Sequence, residues 1–410
     1  MTDGASGAGA QALRHSCIAV VGNGVAALTT LSVFRSAGLP RGEIVVYGDQ
    51  TDPFANFRRY TRAIRQDRMR SESSGHFFPS DFPGLALLDS LHHRTPLPLL
   101  LSLFDQYQPR LAYLLSHGDG IARALQPLRS FVRTRIARVE WAEQKRFVLY
   151  DGAGAAVGSA QHVLLALGHP GLRWPEALLP WRGDARVAHA YQRKCYHAGE
   201  NVLVAGAGMA ATHEWLAALA AGGQVLALSR QPFRLQPLNA PRCDFNAAGL
   251  DRYRRLSAPE RHAYLDAIAA GSYPSRPDWE RTLSSARRDG RWRAVQAGLL
   301  AVEAEGDALN VRLSNGEAVR VQRIVAATGF IPDAVAHPLI AQLAGAHGAR
   351  VEQGRLIVDD DFTLPSPGAE GARVAVTGNL ARWALPVGDT FVGMKYVARR
   401  LAHTLRVRPA

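Results

Sequence analysis

The same order of segments occurs twice in this chain of 410 residues, and this repeat restricts the fold more than any other feature. In each copy an apolar run typical of a buried strand, residues 17–22 or 201–205, leads into a glycine-rich turn and a helical stretch. A second apolar strand follows, and later an alternating stretch that closes on Gly168 or Gly329. Each strand–turn–helix–strand segment is a complete β-α-β unit. The sequence therefore predicts an α/β fold built on two such units.

The two turns are typical of sites that hold a dinucleotide. In the pattern G-x-G-x-x-G/A, the first glycine permits a tight turn and the second lets the backbone approach a pyrophosphate, while the third position lets helix and strand pack closely. The pyrophosphate binds to the free N–H groups and positive dipole at the start of the helix. These positions are Gly22, Gly24 and Ala27 in the first copy, and Gly206, Gly208 and Ala211 in the second. Two copies predict two Rossmann-like dinucleotide-binding domains.

The residues after the second strand of each unit differ, and this is where such domains distinguish nucleotides. In the first copy Asp49 follows the strand, where its carboxylate suits the ribose of FAD or else belongs to a solvated turn. In the second copy Ser229 and Arg230 follow the strand, and there is no acid. A carboxylate would repel a 2′-phosphate, whereas serine and arginine bind one. The second turn is therefore predicted to hold NADPH rather than NADH.

Apolar periodicity and the positions of proline and glycine predict the remaining segments. They are, in order, a loop followed by helices (58–120), an antiparallel meander (131–167, with strands at 132–136, 147–150 and 162–167), a polar and mainly helical insertion (231–293), a second meander (298–327), and a strand (373–377) before Gly378 and a helix from about Asp389. The predicted fold is thus two Rossmann-like domains with β-meander insertions and one helical insertion.

Several segments resemble flavoproteins with two dinucleotide-binding domains. The meanders end in LALGHP (165–170) and AATGFIP (326–332), similar to the segments where the chain of that family crosses between domains. Within the family the chain is most similar to class B flavin monooxygenases, which include flavin-containing monooxygenases, Baeyer–Villiger enzymes and amino-acid N-hydroxylases. WRG (181–183) followed by HAY (189–191) resembles their fingerprint, with a longer spacing, and residues 245–256 resemble the active-site segment of N-hydroxylases.

The resemblance implies an FAD-binding domain of residues 1–171 and 331–410 and an NADPH-binding domain of residues 172–330. In such enzymes NADPH reduces FAD, and oxygen then adds to form a flavin C4a-(hydro)peroxide. One oxygen atom passes to a small metabolite, and nitrogen is one candidate position. The cofactor carries this chemistry, while the protein positions it and excludes water.

The resemblance also implies further site residues. The family's closing Gly-Asp motif corresponds to Gly378 and Asn379, whose amide can still hydrogen-bond a flavin hydroxyl, and the helix start at 388–390 is an alternative contact. The loop 68–79 is expected to lie beside the flavin. Candidates for substrate contact or catalysis are Arg70, His76, Asn239, Arg242 and Asn246, each with a loop-stabilising role as the alternative.

Two other functions stay open at this point. An NAD(P)H:acceptor reductase of the same fold would pass electrons to a quinone or a protein. A nucleotide-binding sensor without turnover would bind both nucleotides and not react. The three cysteines, Cys17, Cys195 and Cys243, form no C-x-x-C pair, which argues against a disulfide reductase or a zinc ribbon. The histidines and cysteines do not have metal-ligand spacing, so no metal is predicted.

The net charge of +13 comes almost entirely from scattered arginines, with no basic block. Nucleic acid is therefore not a predicted partner. No apolar run reaches the roughly 18 residues that a membrane span needs, so no membrane partner is predicted either. Residues 1–16 are interpreted as a frayed leader rather than a signal peptide, and the cytoplasm is the predicted location. The oligomeric state is left open.

Overall fold

The computed structural model describes residues 14–38, 43–77, 82–142, 146–236, 238–269, 271–272, 276–365 and 371–405. The predicted leader lies outside the described residues, except for residues 14–16. Those three residues already belong to the first strand, which begins at Arg14 and not at residue 17 as predicted.

The described chain contains 17 strands and 11 α-helices. The strands are β1 (Arg14–Val21), β2 (Ile44–Gly48), β3 (Arg129–Arg133), β4 (Ile136–Ala142), β5 (Arg146–Asp151), β6 (Ala156–Leu165), β7 (Val187–His189), β8 (Asn201–Ala205), β9 (Gln224–Ser229), β10 (Trp292–Gln296), β11 (Leu299–Glu305), β12 (Ala308–Leu313), β13 (Ala318–Val321), β14 (Arg323–Ala326), β15 (Val351–Glu352), β16 (Arg355–Leu356) and β17 (Arg373–Val376). The α-helices are α1 (Val25–Ser36), α2 (Ala55–Ala63), α3 (Gly84–His93), α4 (Leu97–Leu103), α5 (Leu111–Leu125), α6 (Met209–Ala220), α7 (Ala247–Arg254), α8 (Ala258–Ala269), α9 (Pro277–Arg288), α10 (Pro338–His347) and α11 (Phe391–Thr404).

The first sheet is built on five parallel strands in the order β3-β2-β1-β6-β17. Its centre is β1, where Val20 pairs in register with Val46 of β2 and Leu164 of β6. The hairpin of β4 and β5 extends the sheet antiparallel from the first half of β6. Ile18, Ala19 and Val20 are wholly buried, as expected for a parallel strand that is covered on both faces.

The second sheet repeats this order as β10-β9-β8-β14-β7, again with all strands parallel. Its centre is β8, where Val204 pairs with Ala227 of β9 and Val325 of β14. The strands β11, β12 and β13 form a separate antiparallel sheet that is inserted between β10 and β14. The predicted α/β fold with two β-α-β units is confirmed. In each sheet one more parallel strand comes from outside the repeated segment. This strand is β17 beside β6 in the first sheet and β7 beside β14 in the second.

Three further details of the sequence prediction are wrong. Residues 132–136 are not one strand, because the Thr134 amide turns back to the Val132 carbonyl (2.9 Å) and separates β3 from β4. As a result β3 joins the parallel sheet beside β2. The helical insertion does not reach residue 293, because β10 pairs in parallel with β9 and buries Trp292. The stretch 298–327 is not one meander, since its last strand, β14, lies in the parallel sheet.

Candidate functional site

The first glycine of each turn is fixed by its surroundings. Gly22 has φ +103°, and a Cβ at this position would lie 2.3 Å from the carbonyl oxygen of Ala166. Gly206 has φ +143°, and its Cβ would lie 2.3 Å from the carbonyl oxygen of Ala327. Both glycines thus pass directly over the end of the crossing strand, β6 or β14. Only glycine tolerates this backbone conformation and this close approach.

The second glycine of each turn opens onto free space at the start of a helix. Gly24 precedes α1 with φ −93° and ψ −170°, and Gly208 precedes α6 with φ −95° and ψ −170°. Because the N-cap residue of each helix is glycine, no N-cap side chain accepts from the first amides of α1 or α6. Among the residues that the structure describes, a Cβ on Gly24 would meet no atom within 4 Å, and one on Gly208 would meet only the Ser272 carbonyl oxygen at 4.0 Å. Free amides beside open space are what a pyrophosphate needs.

The third position packs each helix against its sheet. Ala27 and Ala211 are both wholly buried. A larger side chain would push the helix start away from the strands. The six residues predicted to form the two turns therefore have the spacing, conformation and surroundings that two dinucleotides would require.

The loop after β2 is tied to the first turn. Asn23 donates from Nδ2 to the carbonyls of Gln50 (2.9 Å) and Thr51 (3.1 Å), and its Oδ1 accepts from Arg129 (2.6 Å). Asp49 is exposed, and its carboxylate makes no hydrogen bond or ion pair with the residues that the structure describes. This carboxylate is thus available to a ribose, although its role stays a prediction.

The loop after β9 presents a cation. Arg230 is exposed, and within the described chain it has no hydrogen bond or ion pair. Ser229 is buried, and its hydroxyl accepts from the Gln231 amide at 3.3 Å. Arg230 is therefore free to bind a 2′-phosphate, whereas the Ser229 hydroxyl already has a local partner.

The two crossing segments meet face to face. Gly168 and Gly329 occupy equivalent positions with φ +71° and +74°. The rings of the residues that follow them, His169 and Phe330, stack at 4.3 Å with an angle of 7° between their planes. Tyr191 stacks on the other side of Phe330 at 5.0 Å.

The segment that resembles the monooxygenase fingerprint ends in this stack. His189 lies in β7 and packs against Tyr191 at 5.6 Å, while the ring of Trp174 contacts His189 at 5.5 Å. Burial lowers the pKa of His189 to about 4 and raises that of Tyr191 to about 12. Both side chains are therefore neutral near pH 7, and the contacts of this stack between the two sheets involve no charge from them.

The Gly378-Asn379 segment lies against the first nucleotide turn. Gly378 has φ +67°, and its Cβ would come within 3.0 Å of the Ala26 Cβ in α1. Asn379 is half-buried beside it. At the alternative contact, the Thr390 hydroxyl already accepts from the Gly393 amide (3.0 Å) and caps α11. The first turn, and not the second, thus has the extra segment predicted to contact a flavin.

Arg70 links the predicted flavin loop to the helical insertion. Its guanidinium donates to the Ser272 carbonyl (2.6 Å), the Ser272 hydroxyl (2.9 Å) and the Gln236 carbonyl (2.5 Å). Burial lowers the pKa of Arg70 to about 10, so the side chain stays charged at neutral pH. A Cβ on Gly271 would lie 3.6 Å from the Gly208 nitrogen, so Arg70 holds the insertion against the second turn.

The other candidate residues do not converge on one point. His76 is wholly buried under Gly84, whose Cβ would lie 2.0 Å from the His76 Nε2. Arg242 bonds Asp105 at 3.1 Å, and Asn246 caps α7 through the Gly249 amide at 2.9 Å. Asn239 is exposed. These contacts account for Arg242 and Asn246 as structural residues, and a catalytic role for any candidate stays a prediction.

The same loop contains a buried carboxyl that is not among the residues predicted from the sequence. Glu72 is 4% exposed, and burial raises its pKa to about 7, with Asp105 adding to the rise and Lys395 opposing it. Lys395 is also buried and donates to the Ser74 carbonyl at 3.0 Å. The available signal was that Glu72 is the only acid in residues 68–79. A carboxyl that titrates near neutrality in this loop is suited to accept or return a proton.

The described residues contain no group of three or more histidine, cysteine or acidic residues that could hold a metal ion. Their cysteines form no disulfide. No helix in the described parts of the chain has the length and apolar character to span a bilayer.

No protein-family model matches the chain, and no curated protein matches it. Its structure, however, is similar to solved structures over almost its whole length. Ornithine N-hydroxylase from Kutzneria sp. 744, with reduced FAD, NADP⁺ and L-ornithine, superposes with a TM-score of 0.72 at 15% identity and covers 97% of this chain and 100% of its own. L-lysine 6-monooxygenase from Pseudomonas syringae gives 0.69 at 18% identity, covering 96% and 99%. Bacillithiol disulfide reductase from Bacillus cereus gives 0.59 at 14% identity, also covering 96% and 99%.

The chain has the fold of these enzymes. At such identities the likeness establishes the fold alone. It confirms the predicted resemblance to two-domain flavoproteins at that level, and the two monooxygenases superpose better than the reductase.

Proposed function

We propose that this protein is an FAD-dependent, NADPH-consuming monooxygenase that oxygenates a small metabolite at nitrogen. One observation carries the proposal. Two helix starts with the same open glycine geometry lie on two sheets whose five parallel strands follow equivalent orders, and the crossing segments of these sheets pack together. Such a pair suits one nucleotide that donates a hydride and one that receives it.

The first turn is assigned to FAD and the second to NADPH. Gly378 and Asn379 pack on α1 beside the first turn, where the amide of Asn379 would reach a ribityl hydroxyl. Asp49 would accept from the ribose of FAD, and Arg230 would bind the 2′-phosphate of NADPH. Gly168 and Gly329, at the crossings, would border the two cofactors. The FAD domain would comprise residues 1–171 and 331–410, and the NADPH domain residues 172–330.

When bound, FAD supplies the chemistry, since it accepts the hydride and activates oxygen. The residues of this chain position the nucleotides and keep water away. The aromatic stack of Tyr191, Phe330 and His169 closes the crossing between the sheets. Glu72, with its pKa near 7, would hold a proton in the loop predicted to lie beside the flavin. Arg70 keeps the insertion against the NADPH turn.

Oxygenation at nitrogen is favoured by the likeness to ornithine and lysine hydroxylases. Because the arginines are dispersed, we do not propose a nucleic-acid partner. We propose the cytoplasm as the location, since its reducing conditions suit an enzyme that consumes NADPH. A reductase that passes electrons to another acceptor is the second candidate, because a disulfide reductase shares the fold. The unpaired cysteines of the sequence do not support disulfide chemistry of that kind.

Oxygen uptake, NADPH oxidation and hydroxylamine formation with a panel of amines and amino acids test the proposal. We expect one substrate to raise NADPH oxidation and to give one hydroxylated product per NADPH, with little peroxide. If NADPH oxidation instead depends on an added quinone or dye and no amine is oxygenated, the protein is a reductase. If NADPH never bleaches the flavin, the sensor alternative replaces both.

A further inference from the structure

The segment formed by α3, α4 and the residues that flank them exposes most of the large apolar side chains that are exposed in the described part of the chain. In the part of the chain that the structure describes, twelve large apolar side chains are exposed, and eight of them lie within residues 82–104, here called the apolar hairpin. The eight side chains are Phe82, Leu87, Leu88, Leu91, Leu97, Leu100, Leu103 and Phe104. Single exposed leucines are ordinary, but a cluster of this kind marks a contact surface.

Both faces of the first helix of the hairpin are apolar. α3 buries Leu85 and Ala86 against the protein and turns Leu87, Leu88 and Leu91 outward, with Leu91 67% exposed. In α4 the exposed leucines recur at a spacing of three residues, which again forms one outward stripe. A surface helix normally has a polar outer face, so the hairpin is suited to an apolar covering.

The exposed ionisable side chains of the hairpin are all basic. Among residues 82–104, every one of which the structure describes, these side chains are His92, His93 and Arg94. The acid of the hairpin, Asp89, is buried, and its carboxylate lies 3.4 Å from Arg110. A partner that covers the hairpin would therefore contact apolar side chains that are bordered by basic ones.

An arginine-lined cavity of about 440 Å³ adjoins the hairpin. Its ionisable lining residues are Arg58, Arg62, Arg68 and Arg110, with Asp67 as the one acid. Arg110 connects the two features, since it lines the cavity and contacts Asp89 of α3. Asp67 is already paired with Arg276 at 3.0 Å. Arg62 is exposed and has no hydrogen bond or ion pair within the described chain, so the cavity offers a free cation to an anion.

We propose that the apolar hairpin and the arginine-lined cavity dock this protein onto an anionic phospholipid surface. The hairpin would enter the interface, and the cavity would receive phosphate headgroups. α3 and α4 have 10 and 7 residues, which is too short to span a bilayer and is enough for interfacial insertion. A symmetric contact between two copies would bring the basic rims together, whereas anionic lipid neutralises them. An interfacial contact needs no spanning segment, so it revises the sequence expectation of no membrane partner.

Partition of the full-length FAD-loaded protein onto vesicles tests this proposal. Vesicles of phosphatidylcholine with phosphatidylglycerol are compared with vesicles of phosphatidylcholine alone. We expect stronger binding to the anionic vesicles and weaker binding at high salt. The double variant Leu91→Gln/Leu103→Gln should lower the partition coefficient at least tenfold. Arg62→Gln should lower it at least threefold on anionic vesicles and leave binding to phosphatidylcholine unchanged.

Leu300→Gln is the matched control, because Leu300 is 64% exposed, close to Leu91 (67%) and Leu103 (63%), and lies outside the hairpin. All variants should keep the FAD content and melting temperature of the wild type. Equal wild-type binding to both kinds of vesicle would overturn the proposal, as would a hairpin variant that binds like Leu300→Gln. So would light scattering that shows a wild-type dimer, dissociated by the hairpin substitutions, without vesicle binding. Binding of free phosphate through Arg62 without vesicle binding would assign the cavity to a soluble anion instead.

Discussion

The two nucleotide turns have the same backbone and different surroundings. Gly24 and Gly208 differ by 2° in φ, and each precedes a helix of 12 residues. In the first turn, Asn23 is fixed by three hydrogen bonds to its own sheet and to the loop after β2. In the second turn the equivalent residue is Ala207, and the insertion that carries Gly271 and Ser272 lies beside it. The two turns thus share a backbone conformation and differ in the residues that surround it.

This difference suits one retained and one exchanged nucleotide. The first turn is enclosed by elements of its own sheet and by the Gly378 segment. The second turn is approached by a separate insertion that Arg70 holds from the other half of the protein. A nucleotide held there could be released when the insertion moves, which is what a consumed cosubstrate requires.

The crossing strands differ in a second way. His162 in β6 is buried, and burial lowers its pKa to about 4, with Arg373 nearby adding to the effect. The equivalent residue of β14 is Arg323, which pairs with Glu200 at 2.8 Å. The first sheet thus has a buried neutral group where the second has a partly exposed ion pair, so the two sheets should respond differently to acid.

The largest effect is expected from alanine substitutions, which should destabilise the protein at the first glycine of each turn and not at the second. Gly22→Ala and Gly206→Ala should each lower the free energy of unfolding by roughly 3 kcal/mol or more, because the new Cβ meets a carbonyl oxygen and φ is positive. Gly24→Ala and Gly208→Ala should change it by no more than about 1 kcal/mol, because both positions are open and have negative φ. Urea denaturation of the nucleotide-free proteins measures both pairs. Equal losses of unfolding free energy in all four variants would contradict the open space beside Gly24 and Gly208.

The pH dependence of stability tests the contrast between β6 and β14. The pKa of His162 in the folded state, about 4, is below its unfolded value, so its stabilising contribution is complete above about pH 6.5 and is lost as the pH falls towards 4. At pH 5 the loss is about 2 kcal/mol relative to pH 8. His162→Gln should remove this part of the acid sensitivity, measured by denaturation at several pH values. His403→Gln, at an exposed site, is the control, and a wild-type-like pH profile for His162→Gln would contradict the assignment.

Under our proposal, Arg230 distinguishes NADPH from NADH by binding the 2′-phosphate. Arg230→Ala should raise the KM for NADPH at least ~10-fold and change that for NADH little, since a charge-assisted contact to phosphate contributes roughly 1.5–3 kcal/mol. Arg293→Ala, an exposed arginine on the neighbouring strand β10, is the matched control. Steady-state kinetics with both nucleotides provides the measurement, and equal effects on the two would exclude the proposed role of Arg230.

Arg70 should affect only the exchanged nucleotide. Arg70→Lys removes the paired contact with Ser272, and we expect NADP⁺ to bind roughly 3- to 10-fold more weakly while the FAD content stays unchanged. Arg242→Lys changes an arginine that links Asp105 to the same insertion without contacting Ser272, and it should leave NADP⁺ affinity as it was. Calorimetric titration with NADP⁺ compares them. If both variants lose the same affinity, Arg70 has no specific role at the second turn.

The sequence was sufficient for features that depend on neighbouring residues. The two β-α-β units follow from short apolar runs next to glycine patterns. Their strands lie within one residue of the predicted positions, except that β1 begins three residues earlier than predicted. Arg230 could be chosen because it directly follows β9. These signals are local, since a buried strand and a tight turn each need particular residues in a fixed order.

The features that the sequence did not reveal depend on distant parts of the chain. Nothing local indicates that β17 would complete the first sheet or that β7 would complete the second. Arg70 and Ser272 are 202 residues apart, so their contact has no pattern in the sequence. The same is true of the burial that raises the pKa of Glu72, which depends on how α11 and the loop after α4 pack around it.

The most direct test of the account is a comparison of Gly24→Val with Gly208→Val. The purified proteins are assayed for released FAD and for NADP⁺ binding, and circular dichroism verifies that both are folded. The account predicts that the wild type holds about one FAD per chain, that Gly24→Val holds none, and that Gly208→Val keeps FAD and loses NADP⁺ binding, because each valine fills the space above one helix start. FAD retained in Gly24→Val, or lost in a folded Gly208→Val, would contradict the assignment of the two turns.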